Sequence, residues 1–137
     1  MLQVYRYFTY TIYPLLVILI YLRSIIKKED KKRFKEKIFS SNFQVIRDDQ
    51  KKLVWFHAAS IGECVSIIPL IEAINNNNNN INFLVTTVTL SSSKMIELKL
   101  SKHENIFHRF FPLDTEKLAE NFLNSWKPDL ICFVDSE

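Results

Sequence analysis

The amino-acid sequence predicts an α/β fold, a Rossmann-like parallel sheet preceded by an N-terminal membrane-anchor helix. An apolar run fills the N-terminus, a basic stretch follows it, and from residue 51 onward short apolar segments alternate with amphipathic ones. The apolar segments are nearly continuous, which is typical of parallel strands covered by helices on both faces. With 47% hydrophobic residues in a chain of 137, there is enough apolar surface for a folded core.

The N-terminal run predicts an uncleaved membrane anchor over residues 1–26. Residues 7–22 form 16 positions without a charge, whereas a spanning helix needs about 20 apolar residues. The run is therefore long enough only if residues 2–26 are counted and Arg6 reaches back to the interface. It either spans the bilayer or lies deep in its interface. A cleaved signal peptide fits less well, because only Arg6 precedes the apolar run and no small-residue cleavage site follows.

Residues 27–50 are predicted to form a basic segment beside the membrane. Between Arg23 and Lys37 there are eight Lys or Arg and three acidic residues, although the whole chain has a net charge of only +3. Positive charge after an anchor predicts that the rest of the chain faces the cytoplasm. A nucleic-acid patch is the rival explanation. We interpret Phe34 and Phe39 as one face of an amphipathic segment beside a membrane, so no nucleic-acid partner is expected.

Residues 51–137 are predicted to form a partial Rossmann-like domain with alternating strands and helices. The expected strands are 53–58, 82–88, 106–111 and 130–134, and the expected helices are 63–74, 91–100 and 115–126. In the last helix Leu118, Phe122, Leu123 and Trp126 share one face, and Pro128 stops it. The asparagine run 75–80 is interpreted as a solvated connector without function.

The composition excludes several kinds of site. Dinucleotide fingerprints and P-loops need several glycines, and Gly62 is the only glycine in the chain. The nucleophile-elbow pattern fails at Ser60, which has no glycine two residues before it. Cys64 and Cys132 have no metal-like spacing to each other or to the three histidines. They are predicted to be buried, reduced thiols in a cytosolic domain.

Open parallel sheets bind ligands beyond the carboxyl ends of their strands. The segments predicted to lie there are 60–63, 89–93, 112–114 and 135–137. Ser60 and Glu63 have the spacing of a capping box, in which each side chain bonds to the other residue's amide. Gly62 costs helix propensity but permits a ligand to approach the backbone, and a helix N-terminus attracts anions and keeps Glu63 ionised. Capping and general-base catalysis both remain open for Glu63.

Seven motifs in register along the chain resemble the N-terminal half of the 3-deoxy-D-manno-octulosonic acid (Kdo) transferases of lipid A assembly, which are GT-B glycosyltransferases. An apolar anchor precedes them. The motifs are KRFKEKIF at 32–39, HAASIGE at 57–63, IPL at 68–70, VTTVT at 85–89, FPLD at 111–114, KPD at 127–129 and DSE at 135–137. The resemblance implies that the parallel sheet is part of the N-terminal domain of a GT-B enzyme.

The resemblance also implies roles for individual residues. Glu63 aligns with the proposed catalytic base, which takes a proton from an acceptor hydroxyl as it attacks Kdo and CMP leaves. Candidate substrate-binding residues are Ser60, Gly62, Thr89, Ser91 and Glu137. Enzymes of this kind need no bound metal and no other cofactor for the chemistry. The loop after the second strand reads LSSS at 90–93, where the family usually has a glycine.

We further expect the chain to be a fragment that lacks the C-terminal donor domain and has little activity alone. The implied function is transfer of Kdo from CMP-Kdo to the lipid A precursor (lipid IV-A) in lipopolysaccharide biosynthesis, at the cytoplasmic face of the inner membrane. A separately encoded C-terminal half would be its partner. The alternative is a non-catalytic relic or a membrane-attached lipid A binding module. Without its outer strands, the sheet is expected to leave an apolar edge open.

Overall fold

A computed structural model describes the backbone of residues 2–43 and 46–135, and the side chains of those ranges from Tyr7 onward. Its helices are α1 (Leu2–Ile25), α2 (Ile61–Asn77), α3 (Leu90–Leu100) and α4 (Glu116–Trp126). Its strands are β1 (Lys52–Ala58), β2 (Ile81–Thr87), β3 (Ile106–Phe110) and β4 (Leu130–Val134). Two 3-10 turns, Phe34–Lys37 and Ser40–Asn42, lie between α1 and β1. The order of strands and helices agrees with the prediction.

The four strands form one parallel sheet in the order β3-β2-β1-β4. In the register, Phe56 of β1 lies opposite Val85 of β2 and Cys132 of β4. Consecutive parallel strands require crossover connections, and α2 and α3 supply them between β1 and β2 and between β2 and β3. The predicted α/β class with a parallel sheet is therefore confirmed.

The chain divides into two compact units, and the sheet belongs to the unit formed by residues 45–111 and 127–137. Its core lies between one face of the sheet and the inner faces of α2 and α3. The fully buried residues there include Ala58 and Val85 from the strands and Cys64 and Ile71 from α2, and α3 contributes Ile96 and Leu100 at 1% exposure each. Alternate strand residues point to this face, as the period of two requires.

The other unit comprises residues 1–44 and 112–126, so it groups α1, the two 3-10 turns and α4. Ile20 of α1 packs with Phe34 and Ile38 of the first turn. In α4 the buried residues are Leu118, Phe122 and Trp126, whose spacing of four residues puts them on one stripe. Leu123 was predicted on that face but is 40% exposed, because it falls at the border of the stripe.

Two predictions about the connecting segments are wrong. The asparagine run is not wholly a solvated connector, since α2 continues to Asn77 and Asn75 is buried. The Asn75 side chain accepts a hydrogen bond from Asn105 (2.6 Å), which also bonds to the carbonyl of Ile81. A buried amide that finds such partners can complete a helix instead of ending it.

Phe34 and Phe39 do not form one amphipathic face. The residues between them turn tightly in a 3-10 helix, so that Phe34 is buried and packs edge-to-face on Tyr21 at 4.9 Å. Phe39 follows the turn in extended backbone and is 37% exposed.

Residues 7–25 form a helix long and apolar enough to cross a membrane, by length and composition alone. A signal sequence near an N-terminus meets the same criterion, as does a core helix, but only 11% of this helix window is buried. At the other end of the chain, β4 is an edge strand with exposed Leu130, Ile131 and Phe133.

Candidate functional site

The carboxyl ends of β1 and β2 bring most of the predicted site residues together. Because these strands are neighbours and parallel, the loops that follow them meet at one edge of the sheet. Ser60, Gly62 and Glu63 come from the loop after β1 and the first turn of α2, whereas Thr89 and Ser91 come from the start of α3. Glu137 lies outside the described residues.

Glu63 is held against the loop that precedes its helix. One carboxylate oxygen accepts a hydrogen bond from the Ala59 amide (2.7 Å), and the other accepts from the Ser60 hydroxyl (2.7 Å). The Ser60 hydroxyl in turn accepts from the Glu63 amide at 3.2 Å, as the capping box predicts. The carboxylate thus reaches the amide of Ala59 in addition to the Ser60 backbone that the capping box predicts as its partner. Only 8% of the Glu63 residue is exposed.

These contacts make Glu63 an ionised group at neutral pH. The hydrogen bond from the Ser60 hydroxyl lowers the pKa of the Glu63 carboxyl most, and hydrogen bonds from the backbone of Ala59 and Ser60 lower it further, against the opposing effect of burial. A general base must be ionised to accept a proton, but a lowered pKa also makes it a weaker base. The resting geometry is therefore that of a cap.

The start of α3 is tied to the same loop. Thr89 caps the helix, since its hydroxyl oxygen accepts from the Ser92 amide at 3.2 Å. The buried Ser92 hydroxyl donates to the carbonyl of Ala59 (3.3 Å) and lies 2.7 Å from the Thr89 hydroxyl. Because a hydroxyl has one proton, Thr89 is the donor of the second contact. Glu63 and Ser92 therefore bind the two polar groups of a single residue, Ala59.

Gly62 is exposed on the first turn of α2, and the backbone does not require it. It lacks a positive φ, and a Cβ built on it would meet only the Ser60 hydroxyl oxygen, at 3.9 Å, an ordinary contact. Glycine therefore serves neither the turn nor the packing. Because glycine has no side chain, the backbone at the start of α2 is left uncovered near Ser60.

Sequence reasoning did not assign a role to His57, at the end of β1. Its Nδ1 lies 2.9 Å from the Thr86 hydroxyl, which also accepts a hydrogen bond from the Trp55 ring (2.8 Å). The ring packs on Phe111, with centroids 4.2 Å apart. Burial lowers the pKa of His57, and the Glu63 carboxylate opposes this effect only in part, so the ring is neutral at pH 7. The signal in the sequence was a histidine ending a strand six residues before Glu63.

Nucleophilic catalysis by a cysteine and binding of a metal ion find little support at this edge of the sheet. Burial raises the pKa of the Cys64 thiol, so it stays protonated and is a poor nucleophile. Among the residues that the structure describes, no group of three His, Cys, Asp or Glu side chains is placed to hold a metal ion. The predicted thiols are free, with Cys64 buried and Cys132 half-buried.

Curated relatives match the chain over different lengths. A 3-deoxy-D-manno-octulosonic acid transferase of Rickettsia bellii is 36% identical over 137 residues, which is 100% of this chain and 32% of the relative. The transferase of the same name from Rickettsia conorii is 40% identical over 89 residues, 65% of this chain and 19% of the relative. The one from Haemophilus influenzae is 27% identical over 84 residues, 61% of this chain and 19% of the relative. The chain thus spans at most about a third of these relatives.

No solved structure matches the chain. A family model described as 3-deoxy-D-manno-octulosonic-acid transferase (kdotransferase) matches residues 28–137, from the basic segment through β4. Since this match covers most of the sequence and all four strands, the chain belongs to the Kdo transferase family.

Proposed function

We propose that the chain is the acceptor-binding, N-terminal part of a GT-B glycosyltransferase that transfers Kdo from CMP-Kdo to the lipid A precursor (lipid IV-A) in lipopolysaccharide biosynthesis. The observation that carries the proposal is the family match over residues 28–137, which includes the loop holding Glu63. Residues 1–26 would be the anchor, 27–50 the basic segment and 51–137 the partial acceptor domain, at the cytoplasmic face of the inner membrane.

In this function Glu63 is the general base. It accepts the proton of an acceptor hydroxyl while the hydroxyl oxygen bonds to the anomeric carbon of Kdo, and the bond from that carbon to the phosphate of CMP breaks with its electron pair on CMP. Its ionised state at neutral pH supports this role. To act, the carboxylate exchanges the Ser60 hydroxyl for the acceptor hydroxyl, and loss of that hydrogen bond raises its pKa toward that of a useful base.

The other candidate substrate-binding residues lie around the Glu63 carboxylate, except Glu137, which is outside the described residues. Ser60 and Gly62 would contact the acceptor beside Glu63, and Thr89 and Ser91, both exposed at the start of α3, would contact it from the neighbouring loop. Glu137 is kept as a candidate from the family resemblance alone. The donor would bind to a C-terminal half, separately encoded or continuous with this chain.

The test is Kdo transfer from CMP-Kdo to a tetraacylated lipid A precursor, in membranes that contain this chain with or without a co-expressed C-terminal half from a related enzyme. We expect activity only with the added half. Glu63→Gln should then abolish transfer although the chain stays folded and loses only the part of its stability that depends on the Glu63 charge, because glutamine can still accept from the Ala59 amide but cannot take a proton. Glu104→Gln, an exposed carboxylate outside the site, is the matched control.

The second candidate function is a membrane-attached module that binds the lipid A precursor without catalysis. It is favoured by the resting geometry, in which both Glu63 oxygens serve the cap. Here no combination of halves gives transfer, and Glu63→Gln lowers the melting temperature and precursor binding together. Transfer that survives Glu63→Gln would contradict the catalytic role.

A further inference from the structure

Between residues 13 and 24, helix α1 packs one face against its own unit. Ile20 is 6% exposed and packs with Phe34 and Ile38, and Val17 joins the same cluster. One turn earlier, the Tyr13 hydroxyl donates to the carbonyl of Ile38. Positions 13, 17, 20 and 24 recur every three or four residues, so they define a single helix face, and Ser24 at its end is also buried.

The opposite face of α1 is apolar and exposed. Its residues are separated by three, four or seven positions, which puts them on one stripe. They are 50% to 73% exposed and comprise Phe8, Leu15, Ile18, Leu19, Leu22 and Ile25. A continuous apolar stripe of this length on a protein surface marks an interaction site.

A buried ion pair lies next to the segment that packs on the middle of α1. The Tyr13 hydroxyl donates to the carbonyl of Ile38, and the preceding residue, Lys37, is buried and paired with Glu29. If α1 crossed the bilayer with Arg23 at the headgroups, Tyr13 would lie about 15 Å deeper at 1.5 Å per residue. The hydrocarbon layer is about 30 Å thick, so this packing would carry the charges of Lys37 and Glu29 into it, at a high cost in free energy.

The turn after α1 offers positive charge. Lys27, Lys28, Lys31, Lys32 and Lys35 are all exposed, and none has a carboxylate within ion-pair distance among the described residues. The other basic residues of this segment are paired: Arg23 and Lys37 bind Glu29, and Arg33 binds Glu36. The five lysines are therefore available to the phosphates of an anionic leaflet.

We propose that α1 lies flat in one leaflet of an anionic bilayer, with the exposed stripe at the boundary of headgroups and acyl chains and the five lysines on lipid phosphates. This inference rests on the membrane location in the proposed function. It resolves the choice that the sequence left open between a spanning and an interfacial helix. The partner surface is a lipid layer and not another protein, because the stripe is followed in the sequence by a block of exposed lysines.

The test measures the depth of single fluorescent probes in vesicles. In a full-length chain with Cys64→Ala and Cys132→Ala, single cysteines replace Phe8, Leu15, Leu22 or Ile25 and are labelled with an environment-sensitive dye. Vesicles of equal phosphatidylglycerol and phosphatidylcholine have quenchers near the headgroup or near the acyl terminus. We expect all four probes at the same shallow depth, and a probe at exposed Glu104 to remain unquenched. A Leu15 probe deeper than the Phe8 and Leu22 probes indicates a spanning helix and overturns the proposal.

A flotation assay with the same vesicles measures membrane binding of unlabelled chains, so the proposal can be tested even if the labelled chains misfold. Leu15→Glu combined with Ile18→Glu should abolish binding, whereas Leu98→Glu, at a 79% exposed leucine of α3, should not. Lys27→Glu with Lys28→Glu should weaken binding more than about tenfold, since each lysine near an anionic surface contributes about fivefold. Failure of the unmodified chain to bind, or equal binding to pure phosphatidylcholine, overturns the proposal. None of these readouts depends on Kdo transfer, so failure of the enzymatic proposal is seen separately.

Discussion

The starts of α2 and α3 are alike in position but differ in chemistry. Each helix follows a neighbouring parallel strand, and each is capped by a hydroxyl that accepts from the amide three residues later, Ser60 in one and Thr89 in the other. At that third position α2 has Glu63 and α3 has Ser92. The carboxylate supplies a negative charge at the positive end of its helix, whereas the serine supplies only a hydrogen bond.

This difference assigns separate tasks to the two loops. The N-terminus of α2 already contains an anion of its own, so it is less suited than expected to hold a phosphate or carboxylate of a ligand. What it offers instead is a charged group that can exchange a hydrogen-bond partner. Both helices nevertheless bind Ala59, through its amide and its carbonyl, so a change in either loop is felt by the other.

The largest effect is expected from Glu63→Ala. It removes the acceptor of the Ala59 amide and of the Ser60 hydroxyl, and it removes the charge that favours the helix N-terminus. Thermal unfolding followed by circular dichroism should show a greater fall in melting temperature than for any other change at this edge. Glu104→Ala, at an exposed site, is the control, and equal effects of the two would argue that the cap is not formed.

The contribution of the Glu63 charge to the free energy of unfolding should decrease as the pH falls into the acid range. Because the folded-state pKa is lowered, the stabilisation is fully present above the unfolded pKa, about 4.3 for glutamate, and is lost as pH falls through the folded value. The difference in stability between the natural chain and Glu63→Gln should therefore be constant near pH 7 and shrink in acid. Denaturant unfolding at several pH values measures it, and a difference that grows in acid would contradict the assigned contacts.

Ser92→Ala tests the link between the two loops. Ser92 is fully buried, and loss of its hydroxyl removes the donor to the Ala59 carbonyl and one of the contacts of the Thr89 hydroxyl, at a cost of about 1–3 kcal/mol. If Ala59 transmits the effect, Glu63→Gln and Ser92→Ala should be non-additive in a double-mutant cycle. Ser93→Ala, whose hydroxyl bonds within its own helix, should combine additively with Glu63→Gln.

The two caps can be compared directly. Ser60→Ala and Thr89→Ala should each destabilise the protein by about 0.5–2 kcal/mol, the usual range for loss of an N-cap. Ser60→Ala should cost more, because the Ser60 hydroxyl also binds the carboxylate of Glu63. Chemical denaturation of both variants gives the order, and the reverse order would show that the carboxylate adds nothing to the cap.

Much of this fold could be predicted from the sequence because local signals agree. Uninterrupted apolar runs located the strands, the capping box located the start of α2, and the lysine-proline pair at 127–128 located the end of α4, all to within a few residues. What could not be predicted depended on distant partners. Asn75 can remain buried in α2 because Asn105, 30 residues later, donates a hydrogen bond to its side chain. Phe34 is buried because the Tyr21 ring of α1 packs against it.

The candidate site shows the same division. The capping pair was visible as a spacing, but the reach of the Glu63 carboxylate to Ala59 was not, since it depends on how the loop after β1 turns. The Trp55, Thr86 and His57 contacts join two strands that are far apart in sequence. A single sequence contains no signal for such a register.

The smallest effect on stability, and the sharpest on function, is expected from Gly62→Ala. A Cβ fits at this position, and alanine is preferred to glycine in a helix by about 1 kcal/mol, so the variant should be as stable as the natural chain or slightly more stable. If Gly62 serves ligand approach, the added methyl group should weaken acceptor binding or Kdo transfer although the fold is intact. Lys99→Ala, at an exposed position in the last turn of α3, is the control, because it changes a side chain outside the site. Undiminished transfer in a more stable Gly62→Ala chain would show that the glycine does not contact the acceptor, and would leave Glu63 as the group that distinguishes the two loops.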